Sequence, residues 1–339
     1  MTVTNTTDGA ETTAPKTLGS QAATGAPASE TLEASGRSET SGFSAAPLLE
    51  VRDIVKEYRS ARAVDGVTFE LRAGESLAII GESGSGKTTA TRIALGLVSP
   101  DSGEVFYRGR RVDMHRRGFA GLRRGDSALR ALRRESGIVF QDPYASLDPR
   151  WRIRRSVAEP LRARGVPWCE AAERADAALS AVGLDADEYG GRFPQDLSGG
   201  QAQRAAIARA LVIRPRVLLA DEPMSAIDVT SRLQILDTLR AIRSVGLTAL
   251  APRAEHGQAP QRAGGPDAAV AGPAGQDAPM AMIVVLHDLG IVRQLADRVL
   301  VMHEGRVVES GTVDRVLGHP RDPYTLRLIE AATMDPASD

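Results

Sequence analysis

The stretch Gly81-Glu82-Ser83-Gly84-Ser85-Gly86-Lys87-Thr88-Thr89 constrains this 339-residue chain more than any other part of it. It fits G-x-x-x-x-G-K-[ST], follows the apolar run Leu77–Ile80, and leads into a segment of helical character from Thr89 to Leu97. Strand, glycine-rich loop and helix in that order give the motif its meaning. The glycines let successive backbone N–H groups wrap phosphates. Lys87 suits the β- and γ-phosphates, and the Thr88 hydroxyl suits Mg²⁺. Basic usage sharpens the point. Among 42 lysines and arginines the only lysines are Lys16, Lys56 and Lys87, so a chain that favours arginine keeps a compact point charge here.

A second phosphate-facing element lies over a hundred residues later, at Leu197-Ser198-Gly199-Gly200-Gln201-Ala202-Gln203-Arg204. Ser198 is placed to cap a helix expected from Gln201 to about Ile213. Gly199 and Gly200 have no side chain to obstruct a ligand. A helix start presents unpaired N–H groups and partial positive charge, which suits an anion.

Together the two elements resemble the ATP-binding cassette (ABC) ATPases, over roughly residues 48 to 330. The resemblance implies a P-loop α/β core with a largely parallel sheet, an antiparallel β subdomain and an inserted α-helical subdomain. It also implies roles for further residues. Arg216 to Glu222 looks like the Walker B strand, with Asp221 on Mg²⁺ and Glu222 as general base. Gln141 resembles the Q-loop glutamine, touching Mg²⁺ or the attacking water and opening the segment that meets the membrane partner. His287 resembles the switch histidine and Asp228 the D-loop aspartate that crosses between subunits. Tyr58 resembles the aromatic residue that stacks on adenine.

In this family two cassettes dimerise head to tail, so that ATP on Lys87 of one is capped by Ser198, Gly199 and Gly200 of the other. Segment 141–150 and Gly318-His319-Pro320-Arg321-Asp322-Pro323-Tyr324-Thr325 resemble the ATPases of dipeptide and oligopeptide importers, with nickel and glutathione importers sharing both features. That resemblance implies a peripheral protein at the cytoplasmic face of the membrane. Its implied partners are a second, paralogous ATPase subunit, two permease subunits and, indirectly, an extracytoplasmic solute-binding protein. Three residues depart from the family pattern. Ala202 replaces a larger polar residue, Ile227 a leucine, and Leu286 a Ser or Thr beside the switch histidine.

Composition bounds the rest. A formal net charge of −1 gives no global attraction to nucleic acid. No run approaches the ~18 apolar residues of a spanning helix. The single cysteine, Cys169, excludes an internal disulfide and a cysteine-ligated cluster, and suits a reducing compartment. Residues 1–47 are rich in Thr, Ala, Ser, Gly and Pro, which predicts a disordered tail. The cassette is expected over 48–311, its helical subdomain at about 142–200, and a C-terminal extension over 312–339. In 249–281, 21 of 33 residues are Ala, Pro or Gly. This insertion is expected to join a helix end to a strand start, away from the nucleotide and neutral for catalysis. Ten arginines crowd 108–134, read as a solvated helix and loop rather than an anionic-surface site.

Overall fold

The computed structural model describes residues 46–59, 61–114, 126–225, 227–245 and 279–334. The expected tail up to residue 45, the middle of the arginine-rich segment and the insertion through residue 278 lie outside these.

The chain opens with a hairpin, β1 (Leu49–Tyr58) and β2 (Ala61–Leu71). β3 (Ser76–Ile80) then leads through the glycine-rich loop into α1 (Lys87–Ala94). Next come β4 (Ser102–Tyr107), β5 (Arg110–Arg111), α2 (Ser127–Glu135) and β6 (Ser136–Val139). Four helices follow with no intervening strand: α3 (Ile153–Arg162), α4 (Trp168–Ala181), α5 (Ala186–Tyr189) and α6 (Gly199–Leu211). Alternation then resumes with β7 (Val217–Asp221), α7 (Val229–Val245), β8 (Ala281–Val285) and α8 (Leu289–Leu295). The chain closes with the hairpin β9 (Arg298–His303) and β10 (Arg306–Thr312), then α9 (Val313–Gly318) and α10 (Pro323–Met334).

Two sheets result. An antiparallel one has the order β2-β1-β4-β5, and a six-stranded one the order β10-β9-β3-β8-β7-β6. In the larger sheet only the β9–β10 pair is antiparallel. All five residues of β3, β7 and β8 are buried, as parallel strands covered on both faces require. Their side chains divide by the strand period of two. Ala78, Ile80, Leu218, Ala220, Met282 and Val284 join one apolar cluster with the helical segment. Leu77, Ile79, Val217, Leu219, Ile283 and Val285 join the other with the antiparallel sheet and α1. The α/β fold class is as the sequence indicates.

Several boundaries shift for physical reasons. α1 begins at Lys87, two residues before the expected Thr89, and closes early because Leu97 N–H folds back to the Arg92 carbonyl. α6 starts at Gly199, immediately after its Ser198 cap. The insertion expected over 249–281 ends earlier than its composition implies. Met280 is buried and Ala281 already pairs with Val217 in β8. The expected C-terminal extension starts one residue too early, since Thr312 still pairs with Arg298. Three of the six described arginines of segment 108–134 have partners for their side chains. Arg108 faces Glu135, Arg111 faces Glu104, and Arg133 donates to the Gly96 carbonyl.

Candidate functional site

Four neighbouring parallel strands end on the same edge, and each delivers one part of the site. β3 delivers the glycine-rich loop, β7 delivers Asp221 and Glu222, β8 delivers His287, and β6 delivers Gln141. Gln141 is exposed two residues beyond its strand.

The loop is pinned from both sides. Gly86 caps α1 with φ +98°, and a Cβ there would lie 2.2 Å from the Ala63 carbonyl oxygen of β2. Only glycine meets both demands. Lys87 is 5% exposed, and its ammonium donates to the carbonyls of Gly81 at 2.8 Å and Glu82 at 2.7 Å. Burial pulls the Lys87 pKa down, while Glu222, Asp221 and Glu82 oppose that and favour the charged form. Thr88 Oγ1 donates to Asp221 Oδ1 at 3.2 Å, joining residues 133 positions apart. Burial raises the Asp221 pKa; the Thr88 hydrogen bond and Arg92 pull the other way.

Glu222 sits in the left-handed region at φ +48°, rare for a residue with a side chain. Its N–H donates to the Val285 carbonyl at 3.1 Å, which ties it to β8. Its Oε1 lies 2.5 Å from His287 Nε2. In the tautomer with its hydrogen on Nε2, His287 donates to this carboxylate. An ionised Asp221 beside a hydroxyl is the sparse oxygen set that Mg²⁺ uses when phosphates complete its shell, so the residues fit that ion. Among the described residues there is no cluster of three or more metal-ligating side chains.

Comparisons with known proteins decide what this edge belongs to. A family model described as ABC transporter matches residues 64–225. The glutathione import ATP-binding protein GsiA of Escherichia coli (strain K12) is 37% identical over 297 residues, which are 84% of this chain and 41% of that protein. GsiA of Shigella flexneri matches to the same extent. The chain thus spans about two fifths of the length of these curated relatives. Among solved structures, cbiO1 from Clostridium perfringens, part of the ABC transporter complex cbiONQ, has a TM-score of 0.62 at 26% identity, covering 80% of this chain and 91% of that one. The dimeric ATP-binding cassette MJ0796 bound to ADP and Pi has a TM-score of 0.61 at 25% identity, covering 78% and 98%.

Residues 64–225 carry the ATP-binding cassette of ABC transporters.

The cassette's second element is built differently from its first. Ser198 caps α6 in a reciprocal box: Gln201 N–H donates to Ser198 Oγ at 3.3 Å, and Ser198 N–H to Gln201 Oε1 at 2.9 Å. The Gln201 side-chain oxygen is therefore committed to capping. Ser198 and Gly199 are exposed, but Gly200 is buried. A Cβ on Gly200 would lie 2.2 Å from Ser231 Oγ of α7. Its missing side chain thus serves close packing of α6 on α7. Asp228 accepts the Ser231 N–H at 2.9 Å, and that bond holds its carboxyl below the usual range. Tyr58 closes β1 with its ring 47% exposed and the Lys56 ammonium 5.6 Å from its centroid.

The departures from the family pattern resolve as packing. Ala202 and Leu286 are both buried in the main apolar cluster, so neither presents a group to a nucleotide. Ile227 packs against the same cluster.

Two residues make contacts to the site that the sequence does not show. Gln203, 1% exposed, donates to the Phe140 carbonyl at 3.2 Å. With the Tyr144 hydroxyl 3.4 Å from the Leu197 carbonyl, it fastens the glutamine loop to the α6 start. An amide on the inner face of an alanine-rich helix was its only signal. The other is Tyr324, whose phenol accepts the Glu82 N–H at 3.0 Å.

Proposed function

We propose that the chain is the ATP-hydrolysing subunit of an ABC importer, coupling ATP binding and hydrolysis in a cassette dimer to solute uptake through separate permease subunits. The observation that carries this is the convergence of Lys87, Thr88, Asp221, Glu222 and His287 on one strand edge. Glu222 takes the proton of the attacking water, and the His287 Nε2–H holds its carboxylate in one orientation. Lys87 and the α1 start receive the charge that develops on the phosphates. Mg²⁺, when bound, would offset phosphate charge from a position held by Thr88, Asp221 and Gln141. Gly81 to Thr89 would line the phosphates, and Tyr58, on the hairpin strand beside Ala63, would stack on the base.

Ser198, Gly199, Gly200 and Gln201 would close over the ATP of a second cassette, with Asp228 at the junction. The dimeric state of MJ0796 supports that arrangement. For the cargo, the matched relatives are named for glutathione, a tripeptide, which supports a di- or oligopeptide-class solute delivered by an extracytoplasmic binding protein. The chain would sit at the cytoplasmic face of the membrane. Among the described residues no helix is long and apolar enough to cross it. The test is Mg²⁺-dependent phosphate release from ATP by the full chain, alone and with its permease subunits, and labelled glutathione or dipeptide uptake by the assembled system. A chain that hydrolyses no ATP in either state refutes the reading.

A further inference from the structure

The C-terminal segment was singled out in the sequence by His319 to Thr325, and no step of hydrolysis uses it. Yet it is not peripheral. α10 places Tyr324 in the core at 5% exposure, 242 residues from Glu82, whose N–H it accepts at 3.0 Å. Burial raises the phenol pKa, so it stays neutral. The peptide unit between Gly81 and Glu82 is held at both ends. Its N–H goes to Tyr324, and its carbonyl, that of Gly81, accepts the Lys87 ammonium at 2.8 Å. N–H and C=O point opposite ways across one rigid plane, so fixing one fixes the other.

Tyr324 is itself braced. Its ring stacks on His303, the last residue of β9, at 3.9 Å between centroids and 22° between planes. Asp322 Oδ1 accepts the Tyr324 N–H at 2.8 Å. The buried Glu309 of β10 accepts the N–H groups of Arg321 and Asp322 at 3.2 and 3.1 Å. The turn of the same hairpin touches the loop again, where Gly305 N–H donates to the Ser85 carbonyl at 3.1 Å.

We infer that Tyr324 is a positioning residue for nucleotide binding: it orients the Gly81–Glu82 peptide so that the Gly81 carbonyl stations Lys87, and the C-terminal segment is thereby an integral part of the phosphate site. This rests on the reading of the glycine-rich loop as the ATP site. The experiment is equilibrium binding of MgATP and MgADP to the full chain, with steady-state hydrolysis alongside. Tyr324→Phe keeps the ring and its stack on His303 and removes only the accepting oxygen. It should weaken both nucleotides about three- to tenfold, as loss of one hydrogen bond does. KM for ATP should rise in step, with kcat at saturation unchanged and the unfolding midpoint lowered only by the loss of that one bond. Tyr324→Leu, which also removes the stack, should weaken binding further. A Phe variant that binds like the parent overturns the inference, and so does one whose kcat and unfolding midpoint fall with its affinity. A parent chain that binds no MgATP sinks the nucleotide reading itself, before any variant is compared.

Discussion

The strand-end edge and the start of α6 both face a phosphate in the proposed mechanism, but they are made in opposite ways. At the strand ends, side chains from distant segments meet, Thr88 with Asp221 and Glu222 with His287, while Lys87 is held by the carbonyls of its own loop. At the α6 start the polar groups are satisfied locally, Ser198 by Gln201 and Asp228 by Ser231. The first region is the reaction site of the proposed mechanism, and burial shifts two of its titrating groups, Lys87 and Asp221. The second is an exposed, capped surface whose inner face is tightly packed. The difference teaches that one half holds chemistry and the other half offers a shape, so damage to each should read out differently.

The largest effect should come from the first region. Glu222→Gln removes the proton acceptor while keeping its shape. Turnover should fall about 10²–10⁴-fold, with ATP affinity retained and an ATP-bound dimer accumulating on size separation. Turnover at the parent rate would break the comparison at its root, because the base would then lie elsewhere. Ser198→Arg probes the second region at its exposed face. Binding of ATP at Lys87 in the isolated chain should persist, while dimer closure and turnover are lost. Equal loss of binding and turnover would merge the two regions into one.

Smaller effects sharpen the contrast in packing and charge. Gly200→Ala sets a methyl group into Ser231 and should destabilise the fold by about 1–3 kcal/mol in chemical denaturation. Ser231→Gly in the same chain should restore part of that, giving a favourable coupling in a double-mutant cycle. Additive effects would show that the two residues do not meet. Asp221→Asn tests the charge on the strand edge. Burial raises this carboxyl, so the folded state takes up its proton at higher pH than the unfolded chain, whose value is ~3.9. The ionised group therefore opposes folding increasingly as pH rises through that window, and fully above it. Asparagine should raise the unfolding midpoint at neutral pH, with the gain fading below about pH 4, while Mg²⁺-dependent turnover is lost. A midpoint that does not rise would contradict the burial argument.

The sequence showed the first region more plainly than the second, and the reason is physical. Gly81 to Thr88, Asp221 and His287 each sit at the end of an apolar strand, and that local pattern carries their role. The contacts that complete the site are long-range. Tyr324 meets Glu82 across 242 residues and Gln203 meets Phe140 across 63, and no local periodicity encodes either. Gly200 was legible as a glycine but not as a packing contact, because its partner Ser231 belongs to another helix. The place of Leu286 was hidden for a related reason. Its neighbour His287 reaches the site, but strand alternation sends Leu286 into the apolar cluster.

The smallest effect should come from the insertion, which both regions ought to ignore. Its flanks are the end of α7 and the start of β8, while Asp221, His287 and the glycine-rich loop all follow carboxyl ends of strands. β8 enters the sheet at the opposite edge, and its first residue is already fixed by pairing with β7. The α7 end is fixed too, by the Arg243 ion pair with Asp297 and its hydrogen bond to the Leu295 carbonyl at 3.0 Å. Each flank is therefore anchored by contacts that do not run through the insertion. Deleting 251–278 keeps Pro279, whose ring fills the space beside Gly74. A shorter loop also lowers the closure entropy only slowly, by ~0.6 kcal/mol per halving of length. Hydrolysis by the shortened chain should stay within about twofold of the parent, with the unfolding midpoint equal or slightly higher. A collapse in rate with the fold intact would tie the insertion to the strand-end site, and the comparison would need a third region.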